Sequence, residues 1–304
     1  MAEGVTQIQK LPLLTNVNLT PENGIGALSL EDVKVLIEAV PDVVFGFTFD
    51  FYGHTLSTAD EEVHIKNTKI GDEGEQNIRN ALDLLKNCKR FVLENCQISN
   101  ETMAKLRDDY RGRTKIVWRV NYGKGTIMTD AEVVRAVYDL VDDNCHNLIY
   151  CEDAKYMDIG HNEWLDACDF VSGMKSLEYV IISGAPIKSL EPLAQCTELK
   201  FLELANCIYF TDLSPLAGCE NLRMLNISNS HGQDAVWLLP SVLKAEMPDQ
   251  EFVIVSLYQG YALTEHIEAA KANSAVYDYR INTGDGWTSV TKEMTIKDGL
   301  QTHN

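Results

Sequence analysis

Leu177-Glu-Tyr-Val180-Ile-Ile182, Leu199-Lys-Phe-Leu202-Glu-Leu204 and Leu222-Arg-Met-Leu225-Asn-Ile227 are three copies of one pattern. Each puts apolar residues at relative positions 1, 4 and 6, and the copies start 22 and 23 residues apart. The segments between them repeat as well. Ser189-Leu-Glu-Pro-Leu-Ala-Gln-Cys196 matches Asp212-Leu-Ser-Pro-Leu-Ala-Gly-Cys219 at an offset of 23. Self-similarity at a fixed period of this size is the mark of a stacked repeat architecture.

The pattern L-x-x-L-x-L at this period is that of a leucine-rich repeat, in which each unit is one short strand plus a return segment. A single unit cannot bury its own apolar face, so several must stack side by side into a parallel sheet over a continuous core. Weaker copies place the same three positions at Ala154/Met157/Ile159, Cys88/Phe91/Leu93 and Asp60/Val63/Ile65. The ninth position, where the repeat wants Asn or Cys to bond the backbone of its turn, reads Thr68, Cys96, Asn162, Ala185, Cys207 and Ser230.

A longer repeat overlies the first. Ser29 to Asp42 has helical apolar spacing, stops at Pro41 and runs into Val43-Val-Phe-Gly-Phe-Thr-Phe-Asp-Phe51 and the turn Tyr52-Gly53. Seventy residues on, Ser99 to Leu106 leads into Ile116-Val-Trp-Arg-Val120 and Tyr122-Gly123, and both copies end at an Asp, Asp60 and Asp130. Leu243 to Gly260 reads as a third copy. The Tyr-Gly turns near 52 to 56 and 122 to 127 are expected at hairpin tips. The predicted fold is therefore α/β, a leucine-rich-repeat solenoid (horseshoe) with a parallel sheet, interposed helix-strand units and terminal caps. Its expected divisions are 1–130 (helix-strand units and degenerate repeats, a cap), 131–234 (repeat core) and 235–304 (C-terminal cap and tail, with Gly284-Asp-Gly286-Trp287).

Lys and Arg number 26 against 45 Asp and Glu, a net charge of −19. That balance argues against a nucleic-acid backbone or an anionic membrane as partner. No window is apolar enough for a membrane span, and no Asp-rich calcium loop occurs. None of the eight cysteines forms a C-x-x-C pair. Cys96 and Cys207 occupy the ninth position, and Cys88, Cys196 and Cys219 precede or open the next strand, so buried free thiols are expected. Cys145, Cys151 and Cys168 fall outside that register, which leaves a bridge among them open.

Enzyme signatures are missing: no Gly-rich phosphate loop, Gly-x-Ser-x-Gly elbow or His-Glu-x-x-His occurs. Asp158 with His161-Asn-Glu163 has the donor types of a metal site, but it falls at the strand-to-turn position where the repeat carries polar residues. Asp142-Asp143 reads as a solvated helix end. No catalytic, cofactor or metal residues are assigned. Cys151-Glu-Asp153 resembles the Cys-x-Asp element of bacterial ubiquitin-ligase effectors, whose large helical catalytic domain has no room here.

Asn100-Glu-Thr-Met-Ala104, Ile116-Val-Trp-Arg-Val120, Met157-Asp-Ile-Gly-His-Asn162 and Asp212-Leu-Ser-Pro-Leu-Ala-Gly-Cys219 together resemble the leucine-rich-repeat surface proteins and lipoproteins of gut Firmicutes, and more loosely the internalins. The resemblance spans roughly residues 29 to 260. It implies a bacterial binding protein at the cell surface or outside the cell, with a signal or lipid anchor removed from its precursor. The chain's own start, Met1-Ala-Glu-Gly-Val-Thr6, also fits a cytoplasmic home.

In such a sheet the residues between the core positions point away from the core. Position three reads Tyr156, Tyr179, Phe201 and Met224, and position five reads Asp158, Ile181, Glu203 and Asn226. A row of aromatics beside carboxylates suits a protein partner, since rings supply anchoring area and charges supply specificity. The function expected is non-enzymatic protein binding through the concave face. Glycan stacking on the same rings, and self-assembly or attachment at the envelope, are the alternatives.

Overall fold

The computed structural model describes residues 6–20, 30–210, 212–222, 224–226, 230, 253–256, 276–282 and 287–292. The chain divides into two compact units, Met1–Arg119 and Val120–Asn304.

In the first unit, β1 (Asn16–Asn18) lies parallel to β2 (Val44–Gly46), and helix α1 (Leu30–Ala39) connects them. Val33 and Leu36, three apart on one face of α1, are buried. The apolar run Val43–Phe51, expected as one strand, breaks after Gly46. Its second half, β3 (Thr48–Phe51), forms a hairpin with β4 (His54–Ser57) instead. Tyr52 and Gly53 both have positive φ, the two-residue turn whose twist suits a hairpin.

The rest of the unit alternates strand and helix: β5 (Glu62–Lys66), α2 (Glu75–Leu84), β6 (Arg90–Glu94), α3 (Asn100–Asp109) and β7 (Lys115–Tyr122). The three strands are parallel, with Val63 beside Phe91 beside Ile116, and Ile65 beside Leu93 beside Trp118. All six are buried. The stretch Ser99–Val120, expected to interrupt the repeats, thus supplies the third strand in register with them. The Ser99 hydroxyl caps α3 by accepting from the Thr102 amide at 3.2 Å, and Asp72 accepts from Ser99 N at 2.8 Å. Helix α2 is an element that the repeat pattern does not announce, although Ile78, Ala81, Leu82 and Leu85 bury one helical face.

In the second unit β7 ends and the chain turns at Gly123-Lys124 into β8 (Gly125–Met128). Then come β9 (Val133–Arg135), β10 (Tyr156–Asp158), β11 (Tyr179–Ile181), β12 (Phe201–Glu203), β13 (Met224–Asn226), β14 (Val253–Ser256) and β15 (Val276–Asn282). From β10 onward each is parallel to the one before. β16 (Trp287–Lys292) closes the sheet antiparallel to β15. The sheet therefore runs on past residue 234. Of the third helix-strand copy only Val253–Ser256 can be compared; Leu243 and Met247-Pro-Asp249 lie outside the described residues, as do Gly284 to Gly286.

The register is that of the sequence repeat. Met157, Val180, Leu202 and Leu225 are adjacent and fully buried, and Ile159, Ile182 and Leu204 are fully buried as well. Each such side chain contributes roughly 1.5–3 kcal/mol by burial. The return segments are 3-10 helices at His146–Tyr150, Asp169–Gly173, Glu191–Gln195 and Ser214–Gly218. Gly173 and Gly218 allow these to pack closely, because a Cβ there would overlap the carbonyl oxygens of Ile149 and Ala194.

All eight cysteines are free and buried. The three left out of the ladder belong to the repeat after all. Cys151, Met174, Cys196 and Cys219 end successive 3-10 helices, while Cys145, Cys168, Leu190 and Leu213 precede them.

Candidate partner-binding face

A strand presents alternate residues to opposite sides of its sheet, so the buried Met157, Val180 and Leu202 put their flanking residues on the other face. The sheet brings the position-three residues together, with Tyr156 beside Tyr179, Tyr179 beside Phe201, and Phe201 beside Met224. Asp158, Ile181, Glu203 and Asn226 form the parallel second row. For Met224 and Asn226 only the backbone register is described.

Tyr179 is 44% exposed, and Tyr156, Phe201, Asp158, Ile181 and Glu203 are half-buried. The Tyr179 and Phe201 rings lie 6.4 Å apart at 33°, within the range of favourable aromatic pairs. The structure adds two residues that sequence reading missed: β9 places Val133 beside Tyr156 and Arg135 beside Asp158. Val133 is exposed, and the Arg135 guanidinium sits 5.5 Å from the centre of the Tyr156 ring, a cation-π arrangement. The Ser183 hydroxyl donates to Glu203 at 2.5 Å and fixes that carboxylate.

Beside the aromatic row runs a charged one. Lys155 donates to Glu132 at 2.7 Å and Lys200 to Glu178 at 2.6 Å. Each glutamate's hydrogen bond holds its lysine above the ordinary ammonium pKa. These exposed pairs give the face a mixed-sign border and contribute little stability.

The turns after the strands fix the remaining sequence candidates. Asn162 is buried; its Nδ2 donates to the carbonyls of Ala136 (2.8 Å) and Ile159 (2.7 Å), and its Oδ1 accepts from Asp139 N and Leu140 N. That is the backbone-bonding role expected of the ninth position. His161 has positive φ and stacks on Tyr138 at 5.0 Å. Among the described residues no three His, Cys, Asp or Glu side chains gather as metal ligands. Asp142 is more than a solvated end: it accepts from the amides of Asp166 and Ala167 in the next repeat. Cys151 is buried at the end of a 3-10 helix. Of the hairpin tips, the Tyr52 hydroxyl accepts from Asn77 on α2 at 2.8 Å, and Asp139 accepts from Lys124 N. Among the described residues no helix is long and apolar enough to cross a membrane.

Solved structures similar to this chain include two from Listeria monocytogenes. One is an internalin C2, at 19% identity over 68% of this chain and 77% of that one, with a TM-score of 0.33. The other is an internalin (inlF), at 14% identity over 92% of this chain and 89% of that one, with a TM-score of 0.38. No protein-family model and no curated protein matches the sequence.

Proposed function

We propose that this chain is a non-enzymatic binding protein whose repeats form a curved solenoid, and that it engages a protein partner through the sheet face of its second unit. The observation that carries the reading is the adjacency of Tyr156, Tyr179 and Phe201 on the side of β10 to β12 opposite the core. Rings held on a rigid sheet lose little freedom on binding, and water-exposed aromatic area gains most from being covered. Asp158, Glu203, Glu132 and Lys155 border that row with the polar rim common to protein interfaces. The likeness of its sequence motifs to surface proteins and lipoproteins of Firmicutes supports a place outside the cell or on its surface. The expected organisation remains a cap over 1–130, a repeat core over 131–234 and a C-terminal cap over 235–304.

The test compares wild type with a Tyr179→Ser/Phe201→Ser double variant in pull-downs from host-surface and bacterial-envelope extracts. Both proteins are also run on size-exclusion chromatography. A partner recovered with wild type and lost with the variant, at unchanged oligomeric state, supports the reading. Equal recovery overturns it, and a change of oligomeric state moves the function to self-assembly.

A further inference from the structure

The turns that follow the strands of the second unit share one backbone device. Tyr138, His161, Gly184 and Asn206 occupy the same place in successive turns, and all have positive φ. For a residue other than glycine this conformation costs about 1 kcal/mol or more. Asn162, Ala185 and Cys207, which directly follow, are buried, whereas other side chains of these turns lie in the open. The side chains set out there are large and bare. Trp164 is 75% exposed, Tyr138 69% and Tyr209 56%.

They are also held in place. Trp164 forms a parallel bridge with Val141 of the previous turn, the Tyr138 ring lies flat on His161, and the next residues after Trp164 and Tyr209, Leu165 and Phe210, are buried. Indole and phenol rings left in water forgo burial worth roughly 1.5–3 kcal/mol each, so the folding of this unit does not explain them.

Charge identifies the occupant. Met1–Arg119 carries 18 carboxylates against 14 Lys and Arg, whereas Val120–Asn304 carries 27 against 12. From Tyr138 through Asp169 there are nine carboxylates and one lysine, Lys155. Lys155 is engaged by Glu132. Asp143 and Glu163, next to these turns, are exposed and pair with no cation among the described residues. Asp166 is neutralised by Lys188, but an aromatic surface beside the unpaired carboxylates of Asp143 and Glu163 complements a cationic partner. Guanidinium groups suit it best because they stack on rings while bonding carboxylates through their edge.

We infer that the turn edge carrying Tyr138, Trp164 and Tyr209 docks an extended, arginine-rich segment of a partner polypeptide. Its guanidinium groups lie on Trp164 and Tyr209 and pair with Asp143 and Glu163. This surface differs from the strand-face row of Tyr179 and Phe201, so either assignment can fail without the other.

The test is fluorescence anisotropy on the full chain with a short labelled peptide of alternating Arg and Gly, at about 0.15 M salt so that diffuse attraction is screened. Peptides with Lys or Glu in place of Arg serve as comparisons. Trp164→Ala/Tyr209→Ala removes rings without changing charge, and circular dichroism checks its fold. The arginine peptide is expected to bind wild type more tightly than the lysine peptide, with no binding of the glutamate peptide. The aromatic double variant should weaken it at least about tenfold, the loss typical of anchor residues. Asp143→Asn/Glu163→Gln should weaken it as well, and Tyr179→Ser/Phe201→Ser should leave it unchanged. Equal binding by the aromatic variant, absence of binding by wild type, or loss in the strand-face variant overturns the inference. So does a wild-type chain that self-associates through Trp164 and ignores the peptide.

Discussion

Asn162, in the turn after β10, donates its side-chain amide to the carbonyl oxygen of Ala136, 2.8 Å away and one strand earlier. The same carboxamide bonds Ile159 O, Asp139 N and Leu140 N, so one buried side chain satisfies four backbone groups in two successive turns. Asn162→Leu keeps the volume and strands all four. Leaving a buried polar group unpaired costs about 1–3 kcal/mol, and the substitution is expected to lower urea-denaturation stability by roughly 3 kcal/mol or more. Cys207→Ala, at the same repeat position, removes only weak sulfur contacts to Ile182 O and Ala205 O. Its loss is expected near about 1 kcal/mol, chiefly from the cavity. Equal losses at the two sites would show that the ninth position acts by packing alone.

Glu94 is buried on β6 and meets three cations: Arg119 at 2.8 Å, Lys66 at 3.2 Å and, when protonated, His64 at 3.0 Å. Burial pushes its pKa up, but the hydrogen bonds from Arg119, Lys66 and His64 outweigh burial and bring it down to about 2. A carboxylate whose folded-state pKa lies below its unfolded value stabilises the fold above the unfolded value, near 4.5. That contribution, about 3 kcal/mol at most, is lost as pH falls from about 5 toward 2. Glu94→Gln is expected to lower stability at pH 7 and to flatten the acid limb. Thermal melts from pH 2 to 7 check this, and parallel curves for wild type and variant would contradict it.

How much of the fold is legible depends on where the period holds. Val180, Leu202 and Leu225 align because the units containing them keep spacings of 22 and 23, and the observed register pairs these same residues. Helix α2 is hidden because Val63 and Phe91 are 28 apart, a return segment long enough for an α-helix where later units have a 3-10 turn. Ile78, Ala81, Leu82 and Leu85 nonetheless carry its helical spacing. Cys151 escapes the ladder because Met174 replaces cysteine in the next unit, a substitution that the shared packing position tolerates. Tyr156, Tyr179 and Phe201 can be read from sequence because period two governs strands. Trp164 and Tyr209 cannot, because side-chain direction in an irregular turn follows its individual backbone angles, left-handed at His161 and Asn206, for which sequence spacing has no rule.

Gly173 belongs to the 3-10 helix Asp169–Gly173, and a Cβ there would collide with the Ile149 carbonyl oxygen of the preceding turn. Backbone cannot swing aside as a side chain can, so Gly173→Ala must push two return segments apart. The expected loss is roughly 2–3 kcal/mol, typical of overpacking. Gly112 offers the contrast: its φ is +84°, and a Cβ there would meet nothing within 4 Å. Gly112→Ala therefore incurs backbone strain alone, about 1 kcal/mol. Chemical denaturation of both variants separates steric from conformational cost, and a Gly173→Ala protein as stable as wild type would refute the close packing.

Burial keeps the thiols protonated and out of reach of reagents. Burial lifts Cys196 and Cys219 to about 12, and burial reinforced by nearby carboxylates lifts Cys168 to about 12 and Cys145 to about 11. The thiolate is the reactive form, so at about pH 8 the folded protein is expected to give almost no reaction with Ellman's reagent. After denaturation all eight cysteines should react. Because the folded-state pKa values lie above the ordinary 9.0, folding retains these protons. Stability contributed in this way is full below about pH 9 and declines as pH rises through 9 toward 12. Reducing agent is expected to leave the melting temperature unchanged, since no bridge exists among Cys145, Cys151 and Cys168. A melting temperature that falls on reduction, or fewer than eight thiols after unfolding without reductant, would reveal a disulfide and contradict the packing described for these helices.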